Sequence, residues 1–242
     1  TEQTSESMCA VVKGYPLVIR NSDNPEEYGD VVFDDPLFHW YDERDRETQI
    51  IRYMEETFQI DANTTREALL QADRAQDSFR TTLIQRGNTV REEARKNGTY
   101  AVVLASRPYH NDPLINHDLA TLFTDRGIAV LTPDAVDDIN EVDLSCSRLD
   151  IVNNFHARML SAALIAARDP HLEYAQIVSF GCGHDAYLSD EIVRLMKEVS
   201  GKTTLILQVD ESDARGPLRI RVRSFVDTIG MKRERRKQTT TS

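Results

Sequence analysis

The sequence is sparing with several features that would place it quickly. It has 3 cysteines in 242 residues, Cys9, Cys146 and Cys182, and an odd set at such wide spacing excludes the paired framework of a small secreted disulfide protein. No two of them form C-x-x-C, which argues against a zinc ribbon or a thioredoxin-type redox pair. No apolar run approaches the roughly 20 residues that cross a bilayer, and Thr1 to Cys9 lacks a charged-then-apolar leader pattern. The chain therefore reads as cytoplasmic, with no membrane partner. The pattern G-x-x-x-x-G-K-[ST] is absent, so ATP hydrolysis is not expected from this chain alone. Positive charge is short too: a net charge of -11 removes the broad attraction on which nucleic-acid binding depends. The exception is the basic run from Met231 to Lys237, which follows the last periodic segment and leads into Gln238-Thr239-Thr240-Thr241-Ser242, so it reads as a solvated tail. Glycine numbers only 10, with no repeat or low-complexity tract, so a cluster of glycines stands out.

A hydrophobic content of 40% with 29% charged residues is that of a globular protein, and the length suits one large or two small domains. From Tyr100 onward, strand-like and helix-like segments alternate. The strand candidates are Tyr100 to Ala105, Ile128 to Leu131, Gln176 to Phe180 and Thr203 to Val209, all short and rich in Val, Ile or Leu. Helical spacing appears from Ile115 to Phe123, from Leu149 to Ala163 and on to about Arg168, and from Leu188 to Val199, with a last helix over about Leu218 to Thr228. Parallel strands need crossover helices on both faces. The expected fold is therefore α/β, an open doubly wound and mainly parallel sheet of Rossmann-like or flavodoxin-like type. Ahead of it, Arg44 to Phe58 and Thr65 to Lys96 read as long charged helices, and Ala10-Val11-Val12 and Val31-Val32-Phe33 as short strands. The organisation expected is an N-terminal segment 1–98, an α/β domain 99–229 with four βα units, and a basic tail 230–242.

In such a sheet, ligands gather at the carboxyl ends of the strands. After the third strand candidate stands Gly181-Cys182-Gly183-His184-Asp185-Ala186, and its glycine spacing fits G-x-G-x-x-G/A. A dinucleotide fingerprint normally opens its domain, whereas two βα units precede this one, which leaves an NAD-dependent oxidoreductase as the weaker reading. Alternatively, the glycines give a bulky centre room beside Cys182, whose thiolate a helix N-terminus would stabilise. An inert buried cysteine is the plain alternative. His110, His117 and His184 are candidate acids, bases or ligands, or simple hydrogen-bonding residues. Arg107 is a candidate for an anionic ligand or for an ordinary ion pair.

These segments resemble a known family. Ser179-Phe180-Gly181-Cys182-Gly183-His184-Asp185-Ala186, then Val209-Asp210-Glu211-Ser212-Asp213-Ala214, together with Arg107-Pro108-Tyr109-His110-Asn111-Asp112-Pro113-Leu114-Ile115-Asn116-His117 and Cys9-Ala10-Val11-Val12-Lys13-Gly14-Tyr15-Pro16, resemble activase-associated members of the 2-hydroxyacyl-CoA dehydratase and benzoyl-CoA reductase superfamily. The resemblance implies an electron-accepting component that holds a [4Fe-4S] cluster and works with an ATP-hydrolysing activase and an acyl-CoA substrate. By motif position it implies Cys9 and Cys182 as cluster ligands, Cys146 as a further candidate without a matching family cysteine, and Gly181 and Gly183 as the cluster's backbone seat. Arg107, His110, His184 and Glu211 are the candidate catalytic residues. A chain that starts and stops as this one does is expected to be part of a longer polypeptide. A non-catalytic α/β module that binds the activase, CoA or a nucleotide remains the alternative.

Overall fold

The computed structural model describes residues 10–39, 42–151, 153–179, 181–209 and 215–240. In chain order the helices and strands are α1 (Ala10–Ser22), α2 (Glu43–Phe58), α3 (Ala62–Lys96), β1 (Ala101–Ala105), α4 (Pro113–Asn116), α5 (Leu119–Thr124), β2 (Ala129–Leu131), α6 (Asn154–Arg168), β3 (Leu172–Ser179), α7 (Gly183–Ser200), β4 (Leu205–Val209) and α8 (Arg215–Thr240). The chain divides into two compact units, Ser7–Thr81 and one that includes Thr82–Ser242.

The larger unit is an all-parallel sheet in the order β2-β1-β3-β4, as the alternating pattern predicts. Because β1 lies between β2 and β3, the order follows the flavodoxin-like arrangement rather than the Rossmann one. One face buries Val103, Ala105, Leu172 and Tyr174 against α6 and α7, with Leu83 and Val90 of α3 packed on them. The other face buries Val102, Leu104, Ala175 and Ile177 against Leu119 and Phe123 of α5 and Val222 and Phe225 of α8. Both central strands are thus buried on both sides, and β1, with no polar residue, reads as an unbroken apolar run. Gly87 lets α3 approach the Pro133–Ala135 turn closely: a Cβ at that position would stand 1.9 Å from the Ala135 carbonyl oxygen.

Several boundaries differ from the pattern. β3 begins at Leu172 rather than Gln176, since Glu173 and Gln176 interrupt the apolar run although both are buried in the sheet. The helix expected through Ile115 to Phe123 breaks into α4 and α5, because His117 and Asp118 adopt left-handed backbone angles. The expected tail is helical to Thr240, a consequence of its Met, Lys, Arg, Glu and Gln content. It is also docked: Arg233 donates to Pro170 O at 2.8 Å and Thr99 O at 3.0 Å and lies over the Tyr100 ring, while Lys232 reaches Thr203 Oγ1 at 2.8 Å.

In the smaller unit, the strand expected at Ala10-Val11-Val12 is the start of α1, since a strand needs a ladder and the described residues here offer none. Residues Val31 to Phe33 are likewise outside any strand: Phe33 N–H donates to Glu26 Oε1 at 3.1 Å and its carbonyl accepts from Arg20 at 3.2 Å, so side chains replace a ladder partner. Within this unit α2 and α3 are joined by a two-pronged pair between Arg46 and Asp73 at 2.7 and 3.0 Å. Among the described residues no helix is long and apolar enough to cross a membrane.

Candidate functional site at the switch point

The chain runs from β1 outward to β2 and then returns to β3 on the other side, so the topological switch point lies between the carboxyl ends of β1 and β3. Two loops meet there. After β1, Ser106 and Arg107 lead into a 3-10 turn, Pro108–Asn111. After β3, Gly181 takes a left-handed φ of 73°, which turns the chain so that Cys182 becomes the N-cap of α7. Cys182 lends no side-chain cap, and its carbonyl accepts the Ala186 N–H at 3.2 Å.

A buried ion pair fastens the loops together. Arg107 donates to Asp185 Oδ1 through Nε at 3.1 Å and Nη2 at 2.9 Å, and the second carboxylate oxygen accepts Ser179 N–H at 2.9 Å. The same Nη2 lies 3.4 Å from Cys182 Sγ. Burial works to pull the Arg107 guanidinium down, but the charge and hydrogen bonds of Asp185 outweigh it and raise it above its ordinary value. A fixed positive charge thus stands beside a half-buried thiol at the head of a helix.

Around this pair the structure gathers three histidines. His110, 1% exposed, has Nε2 2.9 Å from Ser179 Oγ, while its Nδ1 is buried without a partner. Burial holds its imidazole below the ordinary value, with Asp185 opposing and Arg107 assisting. His156, in the first turn of α6, stacks at a tilt on His184 with ring centroids 5.5 Å apart. Burial, then Arg107 and His184, push His156 down to about 4, so it is neutral at pH 7. Sequence reading missed His156. Its signal was topological: α6 runs antiparallel to the strands, so its N-terminal turn, capped by Asn153, returns to the edge where α7 begins. The role of Asp185 was also hidden, since only the fold places it opposite Arg107.

Of the other candidate residues, His117 is set apart at the end of α4, where its carbonyl accepts from Arg215 at 3.0 and 3.1 Å. Cys146 is exposed, and its carbonyl accepts from Arg194 at 2.9 Å while the neighbouring Arg148 N–H donates to Glu191. Glu191 and Arg194 lie two to three turns along α7, roughly 12–16 Å from Gly183, so Cys146 does not join Cys182. Cys9 and Glu211 lie outside the described residues. Among the described residues no group of three or more His, Cys, Asp or Glu side chains is arranged to hold a metal ion. Gly181 and Gly183 have open space where a Cβ would stand. In the dinucleotide fingerprint the third small residue serves close helix–strand packing, but Ala186 is exposed.

A family model described as the CoA enzyme activase uncharacterised domain (DUF2229) matches residues 1–136. The chain belongs to this CoA enzyme activase-related family. No curated protein and no solved structure matches the chain. In this activase-related protein the family match ends at Val136, so it includes Arg107 and His110 but not Cys182 or Asp185. The switch point therefore joins a half carried by the family domain to a half that follows it.

Proposed function

We propose that this chain is the electron-accepting component of an ATP-dependent CoA-enzyme system of the 2-hydroxyacyl-CoA dehydratase or acyl-CoA reductase type. In this role it works with an ATP-hydrolysing activase and presents Cys182 as a ligand to a [4Fe-4S] cluster. The observation that carries the reading is the contact of Arg107 Nη2 with Cys182 Sγ at the switch point, at the open head of α7. Family membership supports the activase link.

The donor set limits what this chain does alone. Such a cluster is held by thiolates, commonly four, and the described residues bring one to this edge. The remaining ligands thus come from outside the described residues, with Cys9 a candidate. When bound, the cluster supplies low-potential one-electron transfer. The chain's own residues hold Cys182 in place through the α7 N-cap, keep a positive charge beside its sulfur through Arg107, and hold His110 and His156 neutral near the sheet edge.

Anaerobic iron–sulfide reconstitution of the chain, alone and in complex with its activase, followed by iron analysis and visible absorption, tests this. Cys182→Ser is expected to remove the iron and the sulfur-to-iron absorption, whereas Cys146→Ser retains both. Equal iron and sulfide in the Cys182→Ser protein would overturn the reading. The presence of a single cysteine at the site among the described residues favours a second reading, a non-catalytic module that docks the activase, CoA or a nucleotide. That reading requires Cys182→Ala to leave partner affinity unchanged.

A further inference from the structure

At the opposite, amino-terminal ends of the strands, the last turns of α3 and α6 border a shallow, open surface cleft lined by Arg91, Arg95, Ile165, Arg168, Asp169 and Pro170. Asp169 is buried at 8% exposure, and its Oδ2 accepts both Arg91 at 3.1 Å and Arg95 at 3.2 Å, while Oδ1 accepts His171 N–H at 2.8 Å. Burial works to raise this carboxyl, but the His171 N–H and Arg91 outweigh it and hold it below its ordinary value. It stays ionised and pins the arginines.

Three guanidinium groups line the site against the Asp169 carboxylate, with Asp143 near enough to Arg168 to feel its charge, so positive charge still exceeds negative there in a chain of net charge -11. The surplus has free donors. Arg91 Nε is buried without a partner, Arg95 is about half exposed, and Arg168 is exposed and makes no hydrogen bond or ion pair among the described residues. The carbonyl end of a helix would ordinarily repel an anion, but Lys202 Nζ already donates to Ala166 O, Asp169 O and Leu172 O at 2.7, 2.6 and 2.7 Å. Arg233 adds a further cation at the rim through Pro170 O. Planar guanidinium forks match phosphate oxygens in pairs, which a lone ammonium cannot do.

We propose that this cleft binds a phosphate group, with Arg95 and Arg168 as its movable contacts and Arg91 held behind them by Asp169. Ile165 and Pro170 offer an apolar wall beside the arginines, so the phosphate is either a free ion or part of a larger organic molecule. No cysteine takes part, so this proposal stands or falls separately from the cluster reading.

Isothermal titration calorimetry of the full chain at low salt, with inorganic phosphate, pyrophosphate and coenzyme A in separate runs, tests it. Binding is expected, with a loss of about tenfold for Arg95→Gln or Arg168→Gln and more for the pair. Arg168→Lys, which keeps the charge and loses the fork, is expected to fall between Arg168→Gln and the unaltered chain. Coenzyme A tighter than phosphate assigns the site to a carried phosphate, and equal affinities assign it to the free ion. Arg168 is solvent-facing, so the thermal melt of Arg168→Gln should stay unchanged, whereas Arg95→Gln also takes a donor from the buried Asp169 and its melt should fall slightly. Failure of all three probes to bind, or binding that survives the double substitution at full strength, would overturn the proposal.

Discussion

Asp185→Asn puts the switch-point architecture at risk through a single atom. Arg107 is 8% exposed and Asp185 2%, and both donors of the guanidinium edge end on Asp185 Oδ1. The amide keeps an acceptor for Ser179 N–H but loses the charge, leaving a buried guanidinium without its counter-ion. Breaking a buried pair from one side costs about 3–5 kcal/mol. For a protein of this size that corresponds to a fall in Tm of roughly 6–20 °C. Removing both charges differs in kind, because no orphaned charge remains. The double change Arg107→Met with Asp185→Asn, which keeps the acceptor for Ser179 N–H, should therefore recover most of the loss. Urea unfolding followed by circular dichroism measures all three proteins. If Asp185→Asn unfolds within about 1 kcal/mol of the unaltered chain, or if the double variant is no better than the single, the pair does not hold the two loops together.

Acid should act first through the buried histidines His110 and His156, with the larger share from His156. Its folded-state value of about 4 lies below the ordinary 6.5, so the unfolded chain takes up this proton first as pH falls. Stability is intact above pH 6.5 and is lost between pH 6.5 and 4, on the order of 3 kcal/mol in all. Glu191, held near 2 chiefly by its hydrogen bond from Arg194, contributes stability above pH 4.5 that is lost as pH falls toward 2. Denaturation midpoints across pH should show both windows, and His156→Gln should flatten only the upper one. An unchanged slope between pH 6.5 and 4 in that variant would assign the loss to another group. Gly87→Ala gains about 1 kcal/mol of helix propensity but drives a methyl to 1.9 Å from a backbone oxygen that cannot swing aside. Overpacking of that kind outweighs the gain, with a net loss of about 1–2 kcal/mol expected in a thermal melt. A rise in Tm would refute the close approach of α3 to the Pro133–Ala135 turn.

The sheet was legible because parallel strands buried on both faces leave an apolar signature, and β1, β2 and β4 follow it closely. β3 was read short because Glu173 and Gln176 look like surface residues until neighbouring strands enclose them. Strand order is set by long-range pairing and does not appear in local periodicity, so two doubly wound types remained open until β1 was seen between β2 and β3. At the site, loops that follow strands exposed Arg107, His110, Cys182 and His184 to pattern reading. His156 arrives from a returning helix, and local sequence carries no mark of that edge. The cysteines separate for a similar reason: Cys146 stands in the sequence as a further ligand candidate, but its loop is held along α7 by Glu191 and Arg194.

The clasp made by Arg233 has a kinetic side. Its guanidinium takes the carbonyl of Thr99, at the threshold of β1, from 134 positions downstream. β1 also waits for β3, its central partner, which starts at Leu172. A chain emerging from the ribosome therefore carries its first strand unpaired on that side through the synthesis of α6, and unclasped until α8 is made. Such long-range closure slows folding and leaves a β-rich edge open to wrong partners. The run of basic residues that ends the helix thus acts late, as the fastening that closes a sheet begun more than a hundred residues earlier.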